Sequence, residues 1–177
     1  MPGTAETVLE NIFRRRSVRN FTGEMLDRSQ LTTLMKAAMA APSARNRQPW
    51  AFVAVTDRNT MDALADGLPF TKMLYKAGGA IVICGDSSIE LQQGATDLWY
   101  QDAAAASQNI LLAAHAMGLG AVWSALFPYE DRSGHVRKIL GLPMHVSPFS
   151  IIPVGYATGE DLPKDKYKPE RIHWEKW

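Results

Sequence analysis

One long helix with a face of small side chains governs how this sequence can pack. From about Gly94 to Met117, the residues Ala95, Trp99, Ala103, Ala106, Ile110, Ala113 and Met117 recur at steps of three and four, which is one helical face. Ala103 to Ala106 is an unbroken alanine run. Small side chains let another helix come close, so this face predicts tight packing, with a second subunit as one candidate neighbour. Gly118 and Gly120 end the helix in the manner of a glycine cap.

The other elements arrange themselves around it. Val8, Leu9, Ile12 and Phe13 form a helical stripe that ends at Arg14-Arg15-Arg16, where cations suit the helix C-terminus. Asp27 with Gln30 three residues on is a capping box, followed by the apolar face Leu31, Leu34, Met35 and Ala38 and a stop at Pro42. Strands are predicted at Ala51–Thr56, Ala80–Cys84, Ala121–Ser124 and Ser150–Gly155, and short helices over Asn59–Ala65 and around Val136, Ile139 and Leu140. Pro153 suggests that the last strand lies at an edge or carries a bulge. The 177 residues are 46% apolar, enough for one core, and the order of elements fits mixed α and β structure around one sheet. The stretch 157–177 turns to Lys, Asp, Pro and Trp with little core material, and a tail that wraps another surface would give Trp174 and Trp177 somewhere to lie.

Several functions are disfavoured from the start. A formal net charge of +1 argues against a general nucleic-acid binder. The single cysteine, Cys84, lies in an apolar strand and reads as an inert buried thiol, so a reducing, cytoplasmic setting is the default. No run of 18 apolar residues and no secretory leader are present, so no membrane role is expected. His115, His135, His145 and His173 lack metal-ligand spacing. Neither a nucleophile elbow, a dinucleotide glycine fingerprint nor a phosphate-binding Walker loop occurs.

Four segments could carry chemistry. In Arg14-Arg-Arg-Ser-Val-Arg-Asn-Phe21, an extended chain would set Arg15, Ser17 and Arg19 on one side, a cradle for a phosphate dianion, with a solvated basic helix end as the alternative. Ala41-Pro-Ser-Ala-Arg-Asn-Arg-Gln-Pro-Trp50 is a loop whose Ser43, Asn46 and Gln48 can meet the mixed donors and acceptors of a ring edge, or merely form a turn beside a core Trp50. Gly118–Phe127 is a helix cap that could also pass close to a flat ligand, and Lys164-Asp-Lys166 could complete a phosphate site or solubilise the tail.

Taken together, Arg15-Arg-Ser-Val-Arg19, Pro42-Ser-Ala-Arg-Asn-Arg-Gln-Pro-Trp50, Gln108 to Trp123 and Arg171-Ile-His-Trp-Glu-Lys-Trp177 resemble the signatures of the nitroreductase family of flavin enzymes. The resemblance covers nearly the whole chain. It implies an α+β fold with a central, mainly antiparallel sheet flanked by helices, a long central helix, and one domain over residues 1–177. It implies a homodimer with FMN between the subunits, the tail 157–177 embracing the partner. It also implies NAD(P)H as electron donor and a ping-pong reduction of electron-poor small molecules such as nitroaromatics or quinones. Carried over, Arg15, Arg16, Ser17 and Arg19 match phosphate and ribityl-side contacts, completed by Lys164 and Lys166. Pro42, Ser43, Ala44 and Asn46 match a loop that reaches the flavin from the other subunit, and Gln48 lies in the same motif. Trp123, Ser124, Ala125 and Leu126 match the segment along the isoalloxazine, with the Ala125 N–H as candidate partner of flavin N5. Ala44 stands where a second serine is common, and Ala125 and Leu126 where an acidic residue and glycine are common. The competing readings are a flavin-binding sensor or carrier, other reactions of the superfamily (azoline oxidation, iodotyrosine dehalogenation, flavin cleavage), and a nucleic-acid module.

Overall fold

The computed structural model describes residues 3–92, 98–159 and 161–177. In chain order the elements are α1 (Thr4–Arg14), α2 (Arg28–Met39), β1 (Trp50–Val55), α3 (Arg58–Asp66), β2 (Gly79–Asp86), α4 (Ser87–Gln92), α5 (Trp99–Ala116), β3 (Gly120–Ala121), β4 (Ser124–Ala125), α6 (Glu130–Leu140) and β5 (Val146–Gly155). Gly94 and Ala95, where the long helix was expected to begin, lie outside the described residues.

The strands form one open antiparallel sheet in the order β1-β2-β5, with β3 and β4 both pairing the far side of β5. Alternation along β2 divides the core. Ile81 and Ile83 face a layer with Leu34 and Ala38 of α2 and Ala103, Ala106 and Ile110 of α5. Ala80, Val82 and Cys84 face Met61 and Leu64 of α3 and Val136 of α6. The alanine face of α5 thus finds its close neighbour within the chain, in α2. Its buried side runs Asp102, Ala103, Ala106, Ser107, Ile110, Leu111 and Ala114, so the stripe turns away from Ala113 and Met117 in the last turns. The capping box of α2 forms as expected, with Asp27 Oδ1 accepting from Gln30 N at 2.8 Å and Gln30 Oε1 accepting from Asp27 N at 3.0 Å. Burial pushes the Cys84 thiol up to about 12, which leaves it protonated and inert.

Two expectations need correction. Pro153 does not lie on an edge: β5 is flanked by β2 on one side and by β3 and β4 on the other. Nor is it the bulge, since the register shift falls between Ile83 and Cys84, opposite the Ser150–Pro148 stretch. The strand predicted over Ala121–Ser124 is two short pairings separated by Val122 and Trp123. Both differences have one cause. In an antiparallel strand the N and C=O of a residue point the same way. The Pro153 carbonyl accepts from Val122 N at 3.3 Å, so its missing N–H faces the gap between β3 and β4, where no ladder bond is required.

Ile152 is fully buried between the sheet and the α2–α5 layer. Replacing it by alanine is expected to cost about 3 kcal/mol of stability, measured by urea unfolding, because the cavity left behind cannot close between packed elements.

Candidate functional site

The basic arm begins where α1 stops. Arg15 caps α1 in an extended conformation (φ −57°, ψ 131°), and the chain then runs beside β3. Ser17 forms a parallel bridge to Ala121, and Val18 N donates to Ala121 O at 3.0 Å. Alternation does the rest: Val18 is 2% exposed against Phe21, Met73, Ala77 and Val122, which turns Ser17 and Arg19 outward. Arg15, Arg16, Ser17 and Arg19 line one cavity of about 340 Å³ together with Asp161, Leu162, Lys164 and Lys166 of the tail. Sequence positions almost 150 residues apart therefore close a single pocket, and its chemistry is cationic. Among the described residues, no carboxylate comes within ion-pair distance of Arg15, Arg19, Lys164 or Lys166. Five cations, Arg16 included, and a hydroxyl around one hollow suit a dianion.

Arg19 also lines a second cavity of about 210 Å³ with Pro69, Phe70, Met73, Val122, Trp123, Ser124, Ala125 and Arg132. Arg19 is the residue the two hollows share. The floor of the second is held stiffly. Trp123 packs edge-on against Phe149 at 5.6 Å, and Phe149 continues to Trp99 at 6.0 Å. Gly85 makes room for that tryptophan, since a Cβ there would stand 2.3 Å from Trp99 Cε3. In β4, Leu126 N donates to Phe149 O at 3.0 Å, so the ladder alternation turns the N–H and C=O of Ala125 away from β5 to the open edge. Arg132 Nη1 donates to the Ala125 carbonyl at 3.2 Å from that side, and its guanidinium lies 3.8 Å over the Tyr129 ring. The Ala125 N–H thus faces outward beside an exposed side chain. Leu126 does not join the cavity: it is 1% exposed in the opposite core layer.

The Pro42–Gln48 loop lines neither of these two hollows. It is a tightly built turn, with Arg45, Asn46 and Gln48 all at positive φ (54°, 56° and 53°). Such backbone costs of order 1 kcal/mol per residue and persists because local bonds hold it. Gln48 N donates to Ser43 Oγ at 3.0 Å, Gln48 Nε2 to Asn46 Oδ1 at 2.9 Å, and Ala44 N to the buried carboxylate of Asp102 at 2.9 Å. Pro42 and Asn46 are exposed, while Trp50 is core.

Sequence reasoning missed Phe70, Met73 and Arg132 beside Ala125, and Asp161 and Leu162 in the cationic hollow. Pro69 followed by Phe70 at φ 60° was the available signal, a turn that leaves a large apolar ring 88% exposed. No metal-binding cluster of His, Cys, Asp or Glu exists among the described residues.

Fold and site set a cationic hollow beside a second hollow with a backbone edge and an aromatic floor. The chain matches the Nitroreductase family over residues 12–68 and 67–156 and belongs to that family. It is 42% identical over 170 residues to the "Putative NADH dehydrogenase/NAD(P)H nitroreductase" of Methanothermobacter thermautotrophicus, covering 96% of this chain and 87% of the relative. A crystal structure of a protein of the same name from Parabacteroides distasonis superposes with a TM-score of 0.91 at 47% identity, covering 97% of this chain and 99% of that one. An FMN-dependent nitroreductase from Clostridium difficile superposes with a TM-score of 0.86 at 26% identity, covering 96% of this chain and 99% of that one.

Proposed function

We propose that this chain is an FMN-dependent oxidoreductase that takes electrons from NAD(P)H and passes them to electron-poor small molecules such as nitroaromatics or quinones. The observation that carries the reading is the set of cations, Arg15, Arg19, Lys164 and Lys166, without an ion-pair partner among the described residues, around one hollow that shares Arg19 with the hollow over the Trp123–Ala125 edge. That donor set fits FMN, which combines a phosphate dianion with a flat ring. The names of the relatives above agree, one carrying FMN and the others NAD(P)H.

When bound, FMN supplies the redox chemistry. The protein's part is placement. Arg15, Ser17, Arg19, Lys164 and Lys166 fix the phosphate, and the outward Ala125 N–H offers a hydrogen bond to the ring edge. Arg132 holds the following peptide, Ala125–Leu126, through the Ala125 carbonyl. Trp123 and its aromatic support hold the floor flat. This division of labour requires no nucleophile.

The assembly proposed is a homodimer. Helix α1 buries none of its residues, leaving Val8 54%, Leu9 50% and Phe13 71% exposed, and Trp174 and Trp177 of the tail are 81% and 100% exposed. Apolar surface of that kind calls for a partner. A second copy would cover α1, receive the tail 157–177, and present Pro42, Ser43, Ala44, Asn46 and Gln48 to the flavin from across the interface. No helix among the described residues is long and apolar enough to cross a membrane; we place the protein in the cytoplasm.

Protein purified after FMN reconstitution should be yellow, and its flavin band should bleach within seconds when NADH or NADPH is added without oxygen. A reconstituted protein that stays colourless refutes flavin binding. A yellow protein that neither donor bleaches refutes the reductase assignment and favours a carrier.

A further inference from the structure

Arg16 behaves differently from its neighbours. Its Nε donates to the backbone carbonyl of Asp161 at 2.9 Å, and its Nη1 lies 3.3 Å from His115 Nδ1. A guanidinium has only donors, so Nδ1 must be the unprotonated nitrogen of a neutral imidazole. Asp161 stands three residues before Lys164. The preceding tie of the tail to the body is Thr158 N donating to Asn20 O at 2.9 Å. From Leu162 through Lys168, the hydrogen bonds among the described residues stay within the tail. The Arg16–Asp161 bond is therefore the last tie before the two lysines that close the cationic hollow.

We propose that His115 is a positioning residue for the phosphate pocket: as a neutral acceptor it holds Arg16, Arg16 holds the Asp161 carbonyl, and that tie sets Lys164 and Lys166 over the anion. The role rests on the FMN reading and assigns Arg16 chiefly to the tail rather than to the phosphate.

The surroundings make the acceptor state the default. His115 sits in the last turn of α5, where the helix dipole by itself would favour an imidazolium. Partial burial opposes that, and so do Arg16, Arg15 and Arg14, which together hold its pKa below the ordinary histidine range. Among the described residues, the charged groups around it come from α1, the arm and the tail. From α1 come Glu10 and Arg14, paired with each other at 3.1 Å across the hollow that His115 lines. From the arm come Arg15 and Arg16. From the tail comes Asp161, whose Oδ2 is buried with no partner among the described residues. Acidification would place an imidazolium against Arg16, remove the acceptor and add repulsion. The tie at Asp161 should then loosen, so FMN affinity falls as pH drops through the lowered histidine pKa.

FMN titrations followed by flavin fluorescence test this on wild type, His115→Asn and His115→Leu at about pH 8 and at the acid pH where the imidazole NMR signal of His115 shows it protonated. Asparagine presents an acceptor near the Nδ1 position and does not titrate. At the higher pH, His115→Asn should bind within about threefold of wild type and His115→Leu about tenfold more weakly, the loss of one charge-assisted bond. All proteins share the loss due to protonation of the flavin phosphate, whose second pKa is about 6. Wild type should lose roughly a further fivefold at the lower pH that His115→Asn does not, a fraction of one charge-assisted bond. Parallel pH losses for wild type and His115→Asn overturn the proposal, as does wild-type affinity in a folded His115→Leu. If His115→Leu does not fold, the wild-type and His115→Asn pH comparison decides alone. A wild type that binds no FMN at either pH instead refutes the flavin reading.

Discussion

Replacing Arg19 by alanine is expected to weaken FMN binding roughly ten- to a hundredfold while leaving the melting temperature nearly unchanged. The affinity loss follows from position. Arg19 is the residue common to the cationic hollow and to the cavity over Trp123–Ala125, so it can meet the phosphate side and the ring side of one ligand. A charge-assisted hydrogen bond contributes about 1.5–3 kcal/mol, which is one to two decades in affinity. The small stability effect follows from exposure. Arg19 is at the surface and unpaired among the described residues, so the folded chain loses no contact beyond the side chain's own packing. Removing one of five clustered cations also relieves repulsion in the protein without ligand. The measurement is a dissociation constant by fluorescence titration beside a thermal melt of the flavin-free protein. A variant that keeps wild-type affinity would show that the phosphate does not sit in this hollow. Arg19→Lys should recover only part of the loss, because an ammonium keeps the charge but not the planar fork.

What the sequence made legible tracks the range of the forces involved. The Asp27–Gln30 capping box, the small face of α5 and the apolar run of β2 are local patterns, and each appears close to where periodicity placed it. The extended arm was only one of two readings: the alternation of Arg15, Ser17 and Arg19 survives in one dimension, but spacing alone favoured a solvated basic helix end. Pro153 misled because an edge is the usual home for a strand proline, whereas here the strand's neighbour breaks at that point. Arg132 and Asp161 were not readable, since each reaches the site from a remote element, and Phe70 was marked only by the turn at Pro69. Arg16 looked like its neighbours in the arginine run, and only the bonds to Asp161 and His115 separate it from them. The assignment of Lys164 and Lys166 to the phosphate side came from resemblance; spacing alone favoured a solvated charge run.

Gly120→Ala should damage stability and flavin binding together, because β3 and the basic arm share one tight seam. A methyl at Gly120 would stand 2.6 Å from Val18 Cγ1, 2.8 Å from its Cβ and 3.1 Å from its Cγ2. The side chain in the way cannot swing clear. Valine is stiff at χ1, and Val18 is 2% exposed among Phe21, Met73, Ala77 and Val122. Relief must come from the backbone, so the segment stitched to β3 by the Val18 N–H···O=C Ala121 bond has to peel away. Overpacking of this kind costs about 1–3 kcal/mol. For a chain of this size that lowers the melting temperature by about 2–12 °C. The same displacement carries Ser17 and Arg19 with Val18, so FMN affinity should fall about tenfold, the scale of one lost charge-assisted contact. Gly134→Ala is the matched control. It makes the same chemical change inside α6 with nothing within 4 Å of the new methyl. There the gain in helix propensity should stabilise by up to about 1 kcal/mol and leave flavin binding alone. Opposite signs for the two substitutions would separate steric displacement of the arm from a general effect of losing glycine. A Gly120→Ala protein that melts and binds as wild type would show that the arm does not depend on its seam with β3.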